Sequence, residues 1–162
     1  MDSKEEVITV LKKIPWFREL EPRHLDKITE ISSLRRVKAG EVFFREGDQE
    51  DYLYIVIEGR VALDIFVPHR GKVRFYTADP WEVFGWSSVT PNIHQRTAGA
   101  VAVKDSLVVS IDAVKLRQAC EEDHDLGYLV MRRLANIVAS RLLVTRLQLL
   151  DMFAKPESPN AK

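Results

Sequence analysis

The sequence predicts one mainly β domain with helices at both ends. Apolar residues alternate with polar ones from Leu34 onwards, and Gly40, Gly47, Gly59 and Gly71 separate the strand-like runs. Several short runs at this spacing are typical of a β-sandwich or a barrel rather than of a parallel sheet. Apolar residues at helical spacing before and after this part predict the flanking helices. The 162 residues are enough for one domain with its own core.

The N-terminal residues 3–31 are predicted to form two helices. Ser3 and Glu6 have the spacing of a capping box, and Pro15 ends the first helix. The second helix begins near residue 21 and ends near residue 31. Because each helix has its apolar residues on one side, we interpret the pair as cover for one end of the core.

Residues 33–112 contain the predicted strands of the β part. Apolar residues occupy alternate positions in most of these runs, which is the period of a strand. The runs are 42–44, 53–57, 61–67, 73–75, 100–103 and 107–111, with a hairpin turn at 68–71.

The C-terminal residues 112–153 are predicted to form two further helices. Asp112 caps a short helix that ends at Ala119, and one long helix spans residues 123–153. The apolar residues of the long helix cover a wide arc, so it needs two packing partners, one of which is the β part. The polar residues 154–162 are expected to be a disordered tail.

The segment 84–98, FGWSSVTPNIHQRTA, is the candidate ligand site, and we call it the cassette. Gly85 allows a ligand to approach the backbone because it has no Cβ. Ser87 and Ser88 are predicted to start and cap a short helix. The free N–H groups and the positive dipole end of such a helix attract an anion.

Arg96 and Thr97 follow this helix on the next predicted strand. The guanidinium of Arg96 can form two parallel hydrogen bonds with a phosphate, and Thr97 adds a hydroxyl and a backbone N–H group. We expect Arg96→Ala to abolish binding of any phosphate-bearing ligand and to leave the fold intact.

The cassette resembles the phosphate-binding cassette of the cyclic nucleotide-binding domain superfamily, which includes the bacterial catabolite activator proteins and the regulatory subunits of protein kinase A. The family pattern is Phe-Gly-Glu, a few small or apolar residues, a short loop, and then Arg, a small residue and Ala. The departure is Trp86, which stands where the family has a Glu that binds the ribose 2′-hydroxyl. The matching residues are Phe84, Gly85, Arg96, Thr97 and Ala98.

Trp86 leaves two alternatives open. Indole has one hydrogen-bond donor and no acceptor, so it does not replace the Glu of the family. The ring either fills the ribose pocket or stacks on a base or another planar ligand.

The front half of the β part resembles the same family. The resemblance extends over residues 15–150, so we assign residues 1–153 to one domain. It implies a jelly-roll-like β-roll, also described as a double-stranded β-helix, and a homodimer formed through the 123–153 helix. The matching residues are Gly40-Glu41, Glu46-Gly47-Asp48, Leu53-Tyr54 and Val56 flanking Ile55, and Gly59 with Val61.

The resemblance also concerns the base of the ligand. The family often contacts adenine through a Thr-Ser pair on the long helix, and this pair falls on Arg141 and Leu142 here. Arg141 can meet a ring by cation–π contact or bind a second anionic group. Since the ribose acid and the helix pair are both changed, we expect cyclic AMP to bind weakly.

Composition and motifs argue against several other classes of function. The 24 basic and 24 acidic residues give a formal net charge of zero, which argues against a surface built for nucleic acid or for acidic membranes. Cys120 is the single cysteine, and no signal peptide or apolar run of transmembrane length is present, so we expect a cytoplasmic protein. The catabolite activator family continues into a helix-turn-helix where this sequence stops, so we expect no direct contact with DNA. No set of catalytic residues can be picked out, and no enzyme activity is expected.

The predicted function is a regulatory domain that senses a cyclic nucleotide, cyclic AMP or cyclic GMP, or a similar small phosphate-bearing ligand. Binding is expected to shift the long C-terminal helix and to alter a dimer or a contact with a protein partner. One alternative is a ligand-free dimerisation module in which Trp86 plugs the pocket. Another is a haem-based gas sensor, as the superfamily also contains, with His69 or His94 as an axial ligand.

Overall fold

The computed structural model describes residues 3–90 and 95–154, in which helices flank two antiparallel sheets. The helices are α1 (Lys4–Leu11), α2 (Pro22–Glu30), α3 (Ala113–Glu122) and α4 (His124–Ala154), with 3₁₀ helices at Pro15–Glu19 and Trp86–Val89. The strands are β1 (Ser32–Val37), β2 (Val42–Phe44), β3 (Tyr52–Glu58), β4 (Val61–Val67), β5 (Gly71–Ala78), β6 (Val83–Phe84), β7 (Gly99–Ala102) and β8 (Ser106–Asp112).

The order of the strands defines a jelly-roll-like β-roll. The first sheet has the order β1-β8-β3-β6 and the second the order β2-β7-β4-β5. All strand pairs within the described residues are antiparallel. Strands β7 and β8 come last in the sequence but lie between earlier strands, so the chain winds through both sheets. This confirms the predicted fold class, a β-roll between N-terminal helices and a long C-terminal helix.

Strand β3 separates two hydrophobic clusters. Leu53 and Ile55 pack with the helices on the outer side of the first sheet. Tyr54 and Val56 point the other way and pack inside the roll. Both faces of this strand are therefore buried, because the helices cover the side that an uncovered sheet would expose to water.

The N-terminal helices belong to the outer cluster, as the sequence predicts. The Ser3 hydroxyl accepts a hydrogen bond from the Glu6 backbone N–H at 3.1 Å, which confirms the Ser3 half of the predicted capping box, whereas the Glu6 carboxylate pairs with Arg36 at 3.4 Å. Val7 and Leu11 of α1 are buried in the same cluster as β3. The 3₁₀ helix that begins at Pro15 then leads to α2.

One turn of the roll requires glycine. Gly59, between β3 and β4, has a φ of +92°, and a Cβ at this position would lie 2.2 Å from Ser106 Oγ. A side chain there would be strained by the backbone and would also overlap its neighbour.

Two predicted boundaries in the C-terminal part were wrong. Helix α3 extends to residue 122 instead of ending at Ala119, and Ala154 still belongs to α4 although we assigned it to the tail. Asp123 separates α3 from α4, and its carboxylate accepts hydrogen bonds from the N–H groups of Asp125 and Leu126 at 3.1 and 3.2 Å. It thus caps the start of α4. The remaining residues of the predicted tail, 155–162, lie outside the described residues.

Helix α4 has 31 residues, of which Leu126 and Leu134 are buried. Many other apolar side chains of its C-terminal half are exposed, among them Leu143, Leu147 and Leu150 at 55%, 57% and 62%. No helix in the described part of the chain has the combination of length and apolar content that a membrane span requires.

Candidate functional site

The cassette begins with a left-handed glycine and a short 3₁₀ helix. Gly85 has φ 75° and ψ 23° and directly precedes the helix Trp86–Val89. The prediction that Ser87 and Ser88 cap this helix was wrong. Gly85 occupies the N-cap position, and no side chain forms a capping hydrogen bond at this helix start. The Ser88 hydroxyl instead donates to the carbonyls of Gly85 and Tyr52, at 2.8 and 3.0 Å. It therefore joins the cassette to β3.

Arg96 is 3% exposed, and its guanidinium is held by the chain itself. Nη1 donates to the Gly85 carbonyl at 2.6 Å and to Ser87 Oγ at 3.3 Å. Nη2 donates to Glu50 Oε2 at 3.0 Å and to the Tyr52 carbonyl. Within the described residues, Nε is buried without a hydrogen-bond partner. The four Nη hydrogens thus all form hydrogen bonds, whereas the Nε–H has no acceptor among the described residues.

Glu50 is the principal partner of Arg96 that sequence reasoning missed. Its carboxylate pairs with Arg96 and also accepts a hydrogen bond from the Tyr54 hydroxyl. Burial, and then the hydrogen bond to Glu50, raises the pKa of Tyr54 above its ordinary value, so this hydroxyl stays protonated near neutral pH. The Arg96 guanidinium also lies over the Phe44 ring, with its carbon 4.1 Å from the ring centre.

These contacts change the expected effect of Arg96→Ala. The substitution removes one member of a largely buried ion pair, leaves the Glu50 carboxylate without its charged partner, and takes one of the donors from the Gly85 and Tyr52 carbonyls. Breaking such a pair is strongly destabilising, by about 3 kcal/mol or more. The expectation that the fold stays intact is therefore not supported, and a conservative substitution is needed to test binding.

A cavity of about 280 Å³ lies between the cassette and α4, and we call it the cassette cavity. It brings together six of the predicted site residues: Gly85, Trp86, Ser87, Arg96, Thr97 and Arg141. The other described lining residues are Phe44, Leu63, Phe75, Ala98, Val138, Leu142 and Thr145. This set contains two arginines and no carboxylate, although the Arg96 charge is paired with that of Glu50 next to the cavity.

Two predicted site residues do not line this cavity. Phe84 is fully buried in the cluster inside the roll, where its ring stacks on Tyr54 with the centres 4.9 Å apart. Ser88 lines a neighbouring polar cavity together with Glu50 and Arg117. Phe84 thus packs inside the roll at the start of the cassette, and the Ser88 hydroxyl bonds the cassette to Tyr52 of β3.

Helix α4 is held against the roll by polar contacts at the same place. Arg141 donates to the Val83 carbonyl, and its guanidinium carbon lies 3.7 Å from the centre of the Tyr76 ring. Burial raises the pKa of Tyr76, whose hydroxyl donates to Glu82 at 2.9 Å. Arg141 therefore reaches the cassette cavity from a helix that is itself docked on the roll.

The cyclic nucleotide-binding domain model matches residues 34–123, which is more than half of the chain. The chain belongs to the cyclic nucleotide-binding domain family. This match includes the whole cassette and seven of the eight described strands in full, with β1 in part.

Individual members of the family are similar over most of the chain. A cyclic AMP receptor protein of Thermus thermophilus is 32% identical over 76% of this chain and 59% of its own length. A cAMP-dependent protein kinase regulatory subunit of Blastocladiella emersonii is 34% identical over 63% of this chain and 25% of its own length. The crystal structure of a candidate cyclic nucleotide-binding protein of Geobacter metallireducens is 30% identical, covers 88% of this chain and 99% of that one, and has a TM-score of 0.70.

The curated relatives are longer than the part that is shared. The chain spans between 25% and 62% of the length of the curated relatives it matches. The two relatives described above are named as a regulatory subunit and as a receptor.

Trp86 is one of the lining residues that depart from the pattern described in the sequence analysis. Its indole is half-buried, lines the cavity and packs against the outer hydrophobic cluster. The cavity remains open beside it, so the ring does not fill the space between the cassette and α4. Hydroxyl acceptors in the described wall come from Ser87, Thr97 and Thr145.

Of the two histidines named for a haem ligand, only His69 lies within the described residues, and it does not line this cavity. His69 lies in the hairpin turn between β4 and β5, with a φ of 70°. His94 lies outside the described residues. No histidine is among the described residues that line the cassette cavity.

Proposed function

We propose that this domain is a regulatory sensor whose cassette cavity binds a small phosphate-bearing ligand. The observation that carries the proposal is the composition of the described wall, in which Arg96 and Arg141 approach from the roll and from α4 without a carboxylate between them. Arginine is well suited to phosphate because its planar fork forms charge-assisted hydrogen bonds.

Ligand binding requires Arg96 to exchange partners. Its Nε–H has no partner among the described residues, whereas its Nη hydrogens are bound to Glu50 and to other groups of the chain. A phosphate accepts the Nε–H and competes with Glu50 for Nη2. Each charge-assisted bond contributes about 1.5–3 kcal/mol, so the net gain is the difference between the bonds to phosphate and the bonds given up.

The ligand is a cyclic nucleotide or a similar phosphate compound with a planar or apolar part. Trp86 offers a ring face but no acceptor, so a ribose 2′-hydroxyl loses the partner that the family Glu supplies. Leu142 and Val138 provide apolar contact from α4. We therefore expect cyclic AMP to bind more weakly than a ligand that stacks on the indole.

The signal passes through α4. A ligand in the cassette cavity contacts Arg96 and Thr97 on the roll, and Arg141 and Thr145 on the helix. It shifts the helix only to the extent that it binds one helix position more tightly than another. Arg141 is central because it lines the cavity and also holds α4 to the Val83 carbonyl.

We further propose a homodimer formed through α4. The exposed Leu143, Leu147 and Leu150 recur at spacings of four and three residues, which is the spacing of a helix–helix seam. Leu147→Glu with Leu150→Glu is expected to convert the dimer to a monomer in sedimentation equilibrium at high micromolar concentration. The control is Arg146→Glu, which changes an exposed polar side chain of the same helix. A monomeric unmodified domain at that concentration contradicts the proposal.

A second candidate function is a dimerisation module without a ligand. It is favoured by the self-contained pairing of Arg96, whose Nη hydrogens are bound without any ligand. In this case Arg96 keeps its bonds to Glu50 and to the cassette, and the domain serves only to dimerise.

A binding screen separates the two candidates. Cyclic AMP, cyclic GMP and inorganic pyrophosphate are added to the domain, and the thermal midpoint and the heat of binding are measured. A ligand present at 100 times its Kd is expected to stabilise the fold by about 2.7 kcal/mol. Arg96→Lys keeps the charge but removes the fork, and is expected to abolish this stabilisation, whereas Arg70→Lys in the exposed hairpin leaves it unchanged. Absence of stabilisation by every probe at millimolar concentration favours the ligand-free module.

A further inference from the structure

A second cavity lies at the other end of α4. It has a volume of about 450 Å³ and lies between the 3₁₀ helix Pro15–Glu19 and residues 129–137 of α4, and we call it the N-terminal cavity. It shares no described lining residue with the cassette cavity. Its volume lies within the range of about 300–1,000 Å³ that is usual for small-molecule sites.

The inner wall of the N-terminal cavity is apolar. It is formed by side chains of the outer hydrophobic cluster, including Phe17, Ile28 and Leu116, which are 3%, 2% and 2% exposed. Such a wall favours an alkyl or aryl group, since burial of apolar surface is the main gain on binding.

Two hydrogen-bond donors at this cavity have no acceptor. Within the described residues, Trp16 Nε1 and Arg133 Nε are buried and unpaired. Both residues line the cavity, and the guanidinium carbon of Arg133 lies 5.1 Å from the centre of the Trp16 ring. Buried donors normally have a partner, so an unpaired set of this kind points to a missing acceptor.

The charge at the cavity indicates the kind of acceptor. Arg132 and Glu19 also line it, and their side chains form an ion pair at 3.4 Å. The charge of Arg133 has no carboxylate to balance it in the described wall. A singly charged oxyanion neutralises this remaining charge and can accept from both donors.

We propose that the N-terminal cavity is a second ligand site, which binds an amphipathic monocarboxylate. The carboxylate accepts hydrogen bonds from Arg133 and Trp16, and the apolar body lies against Phe17 and Ile28. Because the cavity shares no lining residue with the cassette cavity, the proposal does not rest on phosphate binding at Arg96.

Tryptophan fluorescence provides the test. With Trp81→Phe and Trp86→Phe, Trp16 is the sole tryptophan of the chain and reports on this cavity. Decanoate is titrated below its micellar range, with 1-decanol and decylammonium as uncharged and oppositely charged probes. Saturable binding of decanoate, with each control about tenfold weaker or more, is expected because only decanoate carries the negative charge that makes its hydrogen bonds with Arg133 and Trp16 charge-assisted. Calorimetry on the unmodified domain repeats the titration independently of the substitutions.

Matched variants locate the site. Arg133→Gln is expected to weaken decanoate binding about tenfold or more, whereas Arg146→Gln on the exposed side of the same helix leaves it within about twofold. Arg96→Lys is likewise expected to leave it unchanged, which separates this site from the cassette cavity. The proposal is overturned if decanoate does not saturate, if 1-decanol binds equally well, or if Arg96→Lys and not Arg133→Gln removes binding.

Discussion

Glu50→Gln tests whether Glu50 competes with the ligand for Arg96. The Nη2–Oε2 distance is 3.0 Å, the Arg96 side chain is 2% exposed, and the Glu50 side chain is 22% exposed. The amide has nearly the same shape as the carboxylate, so its oxygen can still accept from Arg96 while its NH₂ group faces Tyr54. The substitution removes the charge of the competitor and keeps its volume.

The size of the effect follows from the two kinds of hydrogen bond. A bond to a charged group contributes about 1.5–3 kcal/mol, and one between neutral partners contributes about 0.5–1.5 kcal/mol. Glu50→Gln therefore weakens the hold on Arg96 by about 1–2 kcal/mol. A phosphate ligand then has less to displace, and its affinity is expected to rise about 5- to 30-fold. The free energy of unfolding falls by a similar amount in the absence of ligand.

Calorimetry with cyclic AMP and cyclic GMP measures the affinity, and urea unfolding measures the stability. The control is Glu58→Gln, which removes the same charge from an exposed position that lines neither cavity at the cassette. An affinity that stays the same or falls in Glu50→Gln refutes competition at Arg96. In that case Glu50 has only a structural role.

Two further predictions concern the scaffold. Gly59→Ala is expected to lower the free energy of unfolding by about 3 kcal/mol, because φ is +92° and the new Cβ meets Ser106 Oγ. Gly47→Ala has a similar φ of +87° but open space around its Cβ, so chemical unfolding should show a clearly smaller loss; equal losses contradict the overlap. The N–H of Leu126 lowers the pKa of Asp123, so the stabilisation from this cap is present above the unfolded pKa of about 3.9 and is lost as the pH falls further. Thermal melts between about pH 2.5 and 7 should therefore show a smaller acid-induced loss in Asp123→Asn than in the unmodified domain, and an identical loss in both excludes this role.

The predictable parts of the fold are those in which local chemistry has one solution. The positive φ values of Gly47 and Gly59 leave few other residues for these turns, and their spacing therefore marks the ends of strands. The spacing of Ser3 and Glu6 likewise marks a helix start, since the hydroxyl satisfies a backbone N–H within one turn. Such features need no knowledge of distant parts of the chain.

The parts that were missed depend on contacts between distant residues. Glu50 lies in an acidic stretch, and nothing in the local sequence selects it over its neighbours as the partner of Arg96, which is 46 positions away. His24 is 2% exposed and bonds to Asp123 at 3.1 Å, although the sequence around it resembles an exposed helix start. The arrangement at the serines was also missed, because Ser88 bonds to a carbonyl of β3 instead of capping its own helix. Each of these depends on the folded neighbours of the residue.

The proposed ligand signal and the proposed dimer both depend on the way that α4 is anchored to the roll. Its buried residues, Leu126 and Leu134, lie in the N-terminal half, whereas the C-terminal half is held to the roll by polar contacts such as that of Arg141 with Val83 and that of Gln148 with the Phe75 carbonyl at 2.9 Å. At 1.5 Å per residue the 31-residue helix is about 46 Å long. Under the proposed function, a ligand that displaces Arg141 acts on the half of α4 that carries the exposed leucines. The proposed dimer packs a second copy on those same leucines, so the two proposals together make the ligand signal and the dimer interface depend on each other.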